Sequence, residues 1–102
     1  MAEAPPLHPV RHLVRARDLA DRCYAEAISV NDLAREAGLS RAHFSREFTK
    51  AFGESPHRYL LTRRLERAAA LLRSTDRSVT DICFLVGLNS VGSFTTTFRR
   101  LY

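Results

Sequence analysis

The stretch SVNDLAREAGLS, residues 29–40, returns as SVTDICFLVGLN at residues 78–89. The copies lie 49 residues apart: Ser29 matches Ser78, Val30 Val79, Asp32 Asp81, Leu33 Ile82, Gly38 Gly87 and Leu39 Leu88. One extra residue then moves the register to 50, after which Ser40 matches Ser90, Phe44 Phe94, Phe48 Phe98, Lys50 Arg100 and Phe52 Tyr102. The apolar skeleton and the punctuation recur while the surface residues differ, which marks a repeated supersecondary unit.

Each punctuation residue has a mechanical reading. Ser29 and Ser78 are N-cap residues, whose hydroxyls can accept a free backbone N–H of the first helical turn. Asp32 and Asp81 fall three residues on, at the capping-box position and near the positive end of the helix dipole. Gly38 and Gly87 end the short helix where a left-handed residue is needed. Ser40 and Ser90 can then cap the next helix. Each copy therefore reads as helix, short glycine turn, helix, which is the helix-turn-helix pattern.

The remaining chain is helical by the same criteria. In VRHLVRARDLADRCYAE, residues 10–26, Val10, Leu13, Val14, Leu19, Ala20 and Cys23 gather near one face. In SPHRYLLTRRLERAAALLRS, Ser55 is an N-cap, Pro56 takes the first helical position, and Leu61, Leu65, Ala68, Ala69 and Leu72 make an apolar stripe. No alternating strand pattern is sustained. The expected fold is all-α, a homeodomain-like helical bundle with two helix-turn-helix subdomains joined by a long connecting helix. Its expected parts are a flexible segment 1–9, a first subdomain 10–54 with its reading helix at about 41–52, a connecting helix 55–74, and a second subdomain 75–102 with its reading helix at about 91–102. The first copy continues through GESP into another helix, so a helix is also expected after the second copy, beyond Tyr102.

The 102 residues suffice for one ordinary domain or two very small ones. The formal charge is +5, and fifteen of the sixteen basic residues are Arg, only Lys50 being Lys. Arg suits planar contacts with phosphate and guanine, and Arg richness fits genomic base composition equally well. Cys23 and Cys83 lie far apart in apolar surroundings with no metal-ligand spacing, and read as buried thiols in a reducing compartment. No cofactor, metal site or small-molecule pocket is expected. The longest apolar run, ICFLVGL at 82–88, is too short to cross a bilayer. His8, His12, His43 and His57 have no partner set for catalysis, and no nucleophile motif or phosphate loop is present, so the chain does not read as an enzyme. The segment MAEAPPLHP lacks a signal-peptide pattern, and the readings fit a cytoplasmic, nucleoid-associated protein.

In a helix-turn-helix the second helix enters the major groove of DNA. Phe44, Phe48 and Phe52 would face the first helix. Ala42, Ser45, Arg46 and Thr49 form the opposite face, small enough to sit deep, with Arg46 long enough to fork onto a guanine. Ser40, Arg41, His43 and Lys50 flank it at positions suited to phosphates. In the second copy the base-facing set is Val91, Gly92, Thr95 and Thr96, with Ser90, Arg99 and Arg100 as phosphate contacts. Gly92 reads either as clearance for the DNA backbone or as neutral. The second face lacks a long polar reader, so most base discrimination is expected from the first. A connector of nineteen residues spans about 28 Å, against about 34 Å for a turn of DNA, so two recognition helices can meet successive major grooves of an asymmetric site. Between residues 41 and 73 eight basic and three acidic residues place +5 beside the first reading helix.

The motifs FSREFTKAFGESPHRYL, ALL…SVTDIC and GLNSVGSFTTTFRR together resemble the AraC/XylS-type transcription regulator DNA-binding domain, over roughly residues 10–102. That resemblance implies a monomeric unit with two helix-turn-helix motifs on a long helix, binding double-stranded DNA at asymmetric promoter sites and often recruiting RNA polymerase. It assigns base-reading positions to Ala42, Ser45 and Arg46, and to Val91, Gly92, Thr95 and Thr96. The rival readings are a helical protein-interaction module using the connector's apolar stripe as a groove, without direct DNA reading, and a basic amphipathic membrane-surface helix at HRYLLTRRLERAAALL.

Overall fold

Among the described residues, serine hydroxyls open four of the helices. In the computed structural model, which describes residues 10–88 and 91–101, the helices are α1 (Arg11–Cys23), α2 (Val30–Ala37), α3 (Arg41–Phe52), α4 (Pro56–Ser74), α5 (Val79–Leu85) and α6 (Val91–Leu101), with no strand among the described residues. Ser29, Ser40, Ser55 and Ser78 accept from the backbone N–H groups of Asp32, His43, Arg58 and Asp81, the N3 position of each helix. The expectations for residues 1–9, Ser90 and Tyr102 lie outside the described residues.

At α2 the capping box is complete. Asp32 Oδ2 accepts from the Ser29 N–H at 2.8 Å, and the Ser29 hydroxyl accepts from the Asp32 N–H at 3.4 Å. At α5 only the serine half is present, with Ser78 Oγ accepting from the Asp81 N–H at 3.1 Å. The Ser29 backbone N–H, followed by its hydroxyl and the nearby Arg35, holds the Asp32 carboxyl below its ordinary value. The unfolded chain therefore takes up this proton at higher pH than the folded one. The stabilisation is complete above about pH 4 and is lost as pH falls through the lower folded value. Asp32→Asn should flatten the acid limb of melting temperature against pH, and an unchanged limb would show the carboxylate to be idle. Ser29→Ala should cost about 0.5–2 kcal/mol in denaturant titration.

The two short helices end alike. Gly38 and Gly87 have φ of 74° and 88°. The Gly38 N–H donates to Arg35 O and that of Leu39 to Ala34 O; 49 residues on, Gly87 donates to Phe84 O and Leu88 to Cys83 O. This paired 5→2 and 6→1 arrangement satisfies the last carbonyls and turns the chain toward the next helix.

Two separate cores result. Leu13, Ala16, Ala20, Val30, Leu33, Ala34, Ala37, Phe44, Phe48 and Leu60 form the first. Leu65, Ala68, Ile82, Cys83, Val86 and Phe94 form the second. The repeat register is kept in the packing: Leu33, Ala34, Ala37 and Phe44 correspond to Ile82, Cys83, Val86 and Phe94. It extends further back than the sequence comparison reached, because Leu65 and Ala69 stand 49 residues after Ala16 and Ala20, and all four are buried. The second half of α4 thus does for the second unit what α1 does for the first. Its first half, through Leu60 and Tyr59, closes the first core.

Three expectations need correction. Cys23 is half-buried rather than buried, because it sits at the end of α1, and a hydrogen bond to Glu26 is the main reason its thiol is held above its ordinary value. Leu72 is 37% exposed because its neighbour Leu71 takes the side of α4 that packs on the second core, and Leu60, outside the expected stripe, is buried instead. The stripe is also no free groove for a partner, since Leu65, Ala68 and Ala69 are buried and Leu61 packs on the second core. Among the described residues, the exposed large apolar side chains besides Leu72 are on α5: Val79, Phe84 and Leu85.

Candidate nucleic-acid interface

The position of α3 is fixed by its aromatic face. Phe44 and Phe48 are fully buried, and their rings lie 5.5 Å apart. Phe48 also meets Phe52 edge-on at 4.6 Å and Tyr59 of α4 at 5.7 Å. Phe52 is only half-buried and lies at the edge of the core, under the Arg17 guanidinium at 4.5 Å. The Tyr59 hydroxyl donates to Asp21 Oδ1 at 2.6 Å, so α1, α3 and α4 are tied at one corner. Burial, with that hydrogen bond second, pushes the Tyr59 phenol up to about 12.

With that face inward, Ala42, Arg46 and Thr49 are exposed and Ser45 is half-buried. Ser40, Arg41, His43 and Lys50 are exposed around them. Among the described residues no carboxylate pairs with Arg41, Arg46 or Lys50, so their donors face solvent. Two hydroxyls of this face are already engaged. Thr49 Oγ1 donates to Ser45 O at 2.7 Å, which leaves its methyl and its acceptor lone pairs for a ligand. Ser40 Oγ accepts from the His43 N–H at 3.2 Å and keeps its own proton to donate.

On α6 the inward residue is Phe94, with Phe98 at its flank and the two rings 5.5 Å apart, the same separation as Phe44 and Phe48. Gly92, Thr96, Arg99 and Arg100 are exposed, and Val91 and Thr95 are half-buried. The two second helices thus turn equivalent faces outward from equivalent cores, the first with Arg46 at its centre and the second small there, with its basic residues, Arg99 and Arg100, in the last turn. No group of three or more His, Cys, Asp or Glu side chains among the described residues converges as a metal site would require.

One residue that sequence reasoning passed over is prominent. Arg64 of α4 donates from Nε to Tyr24 O at 2.7 Å and from Nη2 to Ile28 O at 3.0 Å and Glu26 O at 3.2 Å. Its burial lowers the guanidinium's proton affinity. The acceptors are main-chain groups 36–40 residues away, so no local pattern could have announced the contact.

Two helix-turn-helix units on one chain, each with its second helix outward, define a DNA-binding domain of the helix-turn-helix class. The family model for the helix-turn-helix domain matches residues 33–102. The chain belongs to the AraC-type helix-turn-helix DNA-binding domains. It is similar to the DNA-binding domain of AdpA, a global transcriptional factor solved with a target DNA, at 32% identity and a TM-score of 0.81, covering 86% of this chain and 79% of that one. It is also similar to an AraC-type regulator from Chromobacterium violaceum, at 33% identity and a TM-score of 0.77, over 88% of this chain and 80% of that one. An uncharacterised HTH-type transcriptional regulator of Staphylococcus aureus (strain COL) is 35% identical over 83 residues, which are 81% of this chain and 11% of the relative. The chain thus spans about a tenth of that relative's length. Among the described residues no helix is long and apolar enough to cross a membrane.

Proposed function

We propose that the chain is the DNA-reading part of a transcription regulator, working as a monomeric unit in the cytoplasm on double-stranded DNA at an asymmetric promoter site. The observation that carries the reading is the outward face of α3, small at Ala42 and Ser45, with the unpaired Arg46 beside them. In this reading α3 lies in one major groove. Arg46 forks onto O6 and N7 of a guanine, while Ala42, Ser45 and the Thr49 methyl pack on neighbouring base edges. Arg41, His43, Ser40 and Lys50 hold phosphates, helped by the positive end of α3, whose first turn has no acidic residue. In the next groove α6 offers Val91, Gly92, Thr95 and Thr96 to the bases, with methyl contacts and shape rather than bidentate bonds. Ser90, Arg99 and Arg100 clamp phosphates there. RNA polymerase as a partner belongs to the same proposal.

Selection of bound duplexes from a random pool tests it, with two boxes about one helical turn apart as the expected result. Arg46→Ala should weaken binding by about 1–3 kcal/mol and relax preference at a single base pair. A uniform loss across sequences would make Arg46 a phosphate contact instead. Failure to bind any duplex at low salt would overturn the proposal as a whole.

A further inference from the structure

The two cores share only α4. The helix pairs in substantial contact are α1 with α2, α3 and α4, α2 with α3, α3 with α4, α4 with α5, and α5 with α6. Among the described residues, helices α1 to α3 therefore have no extensive packing of their own against α5 or α6. How the first unit sits relative to the second is then set by the packing of each on α4 and by the contacts made where the units meet.

The three pieces meet at one carbonyl. Tyr24 O belongs to the link between α1 and α2, and Arg64 Nε of α4 donates to it at 2.7 Å. Gly87, in the turn between α5 and α6, presses on the same place: a Cβ there would come within 2.5 Å of Tyr24 O, 3.0 Å of Arg64 Nε and 3.1 Å of the Ala25 carbonyl carbon. Arg64 then holds the rest of the link through Glu26 O and Ile28 O. A planar guanidinium bonded to three carbonyls of one segment resists rotation in a way that a single bond does not. Its neighbours in sequence point to different cores, Leu60 to the first and Leu65 to the second. Arg64 thus lies where any tilt of one unit against the other must pivot.

We propose that Arg64, with Gly87 against it, sets the angle between the two reading helices and thereby the spacing of the two DNA boxes that the domain accepts. The inference rests on the two-groove reading above. Over half the connector, about 14 Å at 1.5 Å per residue, a tilt of roughly 15° displaces a unit by about the 3.4 Å rise of one base pair. Small losses of angular control therefore become whole steps of register. Arg64 is a positioning residue and touches no DNA in this scheme.

The test compares the wild-type chain, Arg64→Met and Arg64→Lys. Arg64→Met keeps an unbranched apolar stem, shorter than that of arginine, and removes its donors. Duplexes carry the selected boxes at the preferred spacing and at one or two base pairs more or less, or carry the first box alone. Wild type should prefer one spacing by about tenfold or more, because the second box helps only when both units can engage at once. In Arg64→Met that preference should fall below about threefold, with affinity for the first box alone unchanged within about twofold, and Arg64→Lys should lie between. A second measurement needs no DNA: spin labels at Glu36→Cys and Thr80→Cys, in a Cys23→Ser background, should give one narrow distance in wild type and a broad distribution in Arg64→Met. A flattened spacing profile with an unchanged distance would overturn the inference, as would a broadened distance with an unchanged profile. An equal loss at every spacing with a lowered melting temperature would show Arg64 to be merely structural. If wild type itself shows no spacing preference, the two-groove reading falls and the inference with it. If wild type shows one and Arg64→Met keeps both the profile and the distance, the inference alone falls.

Discussion

Phe48→Ala is expected to destabilise the chain by about 3–5 kcal/mol, the usual cost of truncating a fully buried phenylalanine. Phe48 is 0% exposed and meets three other rings, those of Phe44, Phe52 and Tyr59. Its removal leaves a cavity that α1, α3 and α4 cannot all close, because the bond from Tyr59 to Asp21 holds their corner. For a chain of this size each kcal/mol lowers the melting temperature by about 4–8 °C, so the drop should exceed about 12 °C. The equivalent change in the second unit, Phe98→Ala, should cost less, since Phe98 is only half-buried. Urea titration of both variants checks the order. A loss below about 1 kcal/mol in Phe48→Ala would contradict the packing described for the first core.

Binding to duplex should weaken steeply with salt. Arg41, Lys50, Arg99 and Arg100 are exposed, and among the described residues none is paired with a carboxylate. Four neutralised phosphates give a slope of about −3.6 in log affinity against log salt, or roughly a 150-fold loss between 50 and 200 mM. Arg41→Ala or Lys50→Ala should each reduce the slope by about 0.9 and weaken all sequences alike, whereas Arg46→Ala should change which sequence is preferred. Titration at four salt concentrations separates these effects. A slope near zero would remove the phosphate contacts from the account.

The parts of the fold that were legible in the sequence are those set by neighbours along the chain. A serine three residues before a free N–H, a glycine that can take positive φ, and phenylalanines at helical spacing are local devices, and among the described residues the caps at Ser29, Ser40, Ser55 and Ser78, the turns at Gly38 and Gly87, and the buried Phe44, Phe48 and Phe94 act as read. Ser29, Ser40, Ser55, Ser78, Gly38 and Gly87 needed no tertiary information. Illegible were the choices made between elements. Ala16 resembles any other alanine until α2 packs against it. Leu60 and Leu61 are adjacent, yet one packs in the first core and the other on the second, because α4 is held from two sides. Asp81 has the spacing of a capping box and completes only half of one. The outward faces of α3 and α6 followed once the phenylalanines were placed inward. Arg64 did not follow from anything, because its carbonyl partners come from the α1–α2 link rather than from residue types that leave a trace.

Sharing α4 between two cores makes the connector a quantised part. A helix advances 1.5 Å and turns about 100° per residue. Adding one residue between Leu60 and Leu65 would therefore swing the second core a quarter-turn or more out of phase with the first. Adding seven restores the helical phase to within about 20°, but lengthens the connector by about 10.5 Å. On DNA that is about three base pairs, close to a third of a turn, so the second head would face the wrong side of the duplex. Helix phase and DNA phase thus constrain the same nineteen residues with two incommensurate periods. Length changes compatible with both are few, and variation in reach falls more easily to the non-helical residues 75–78 than to α4 itself.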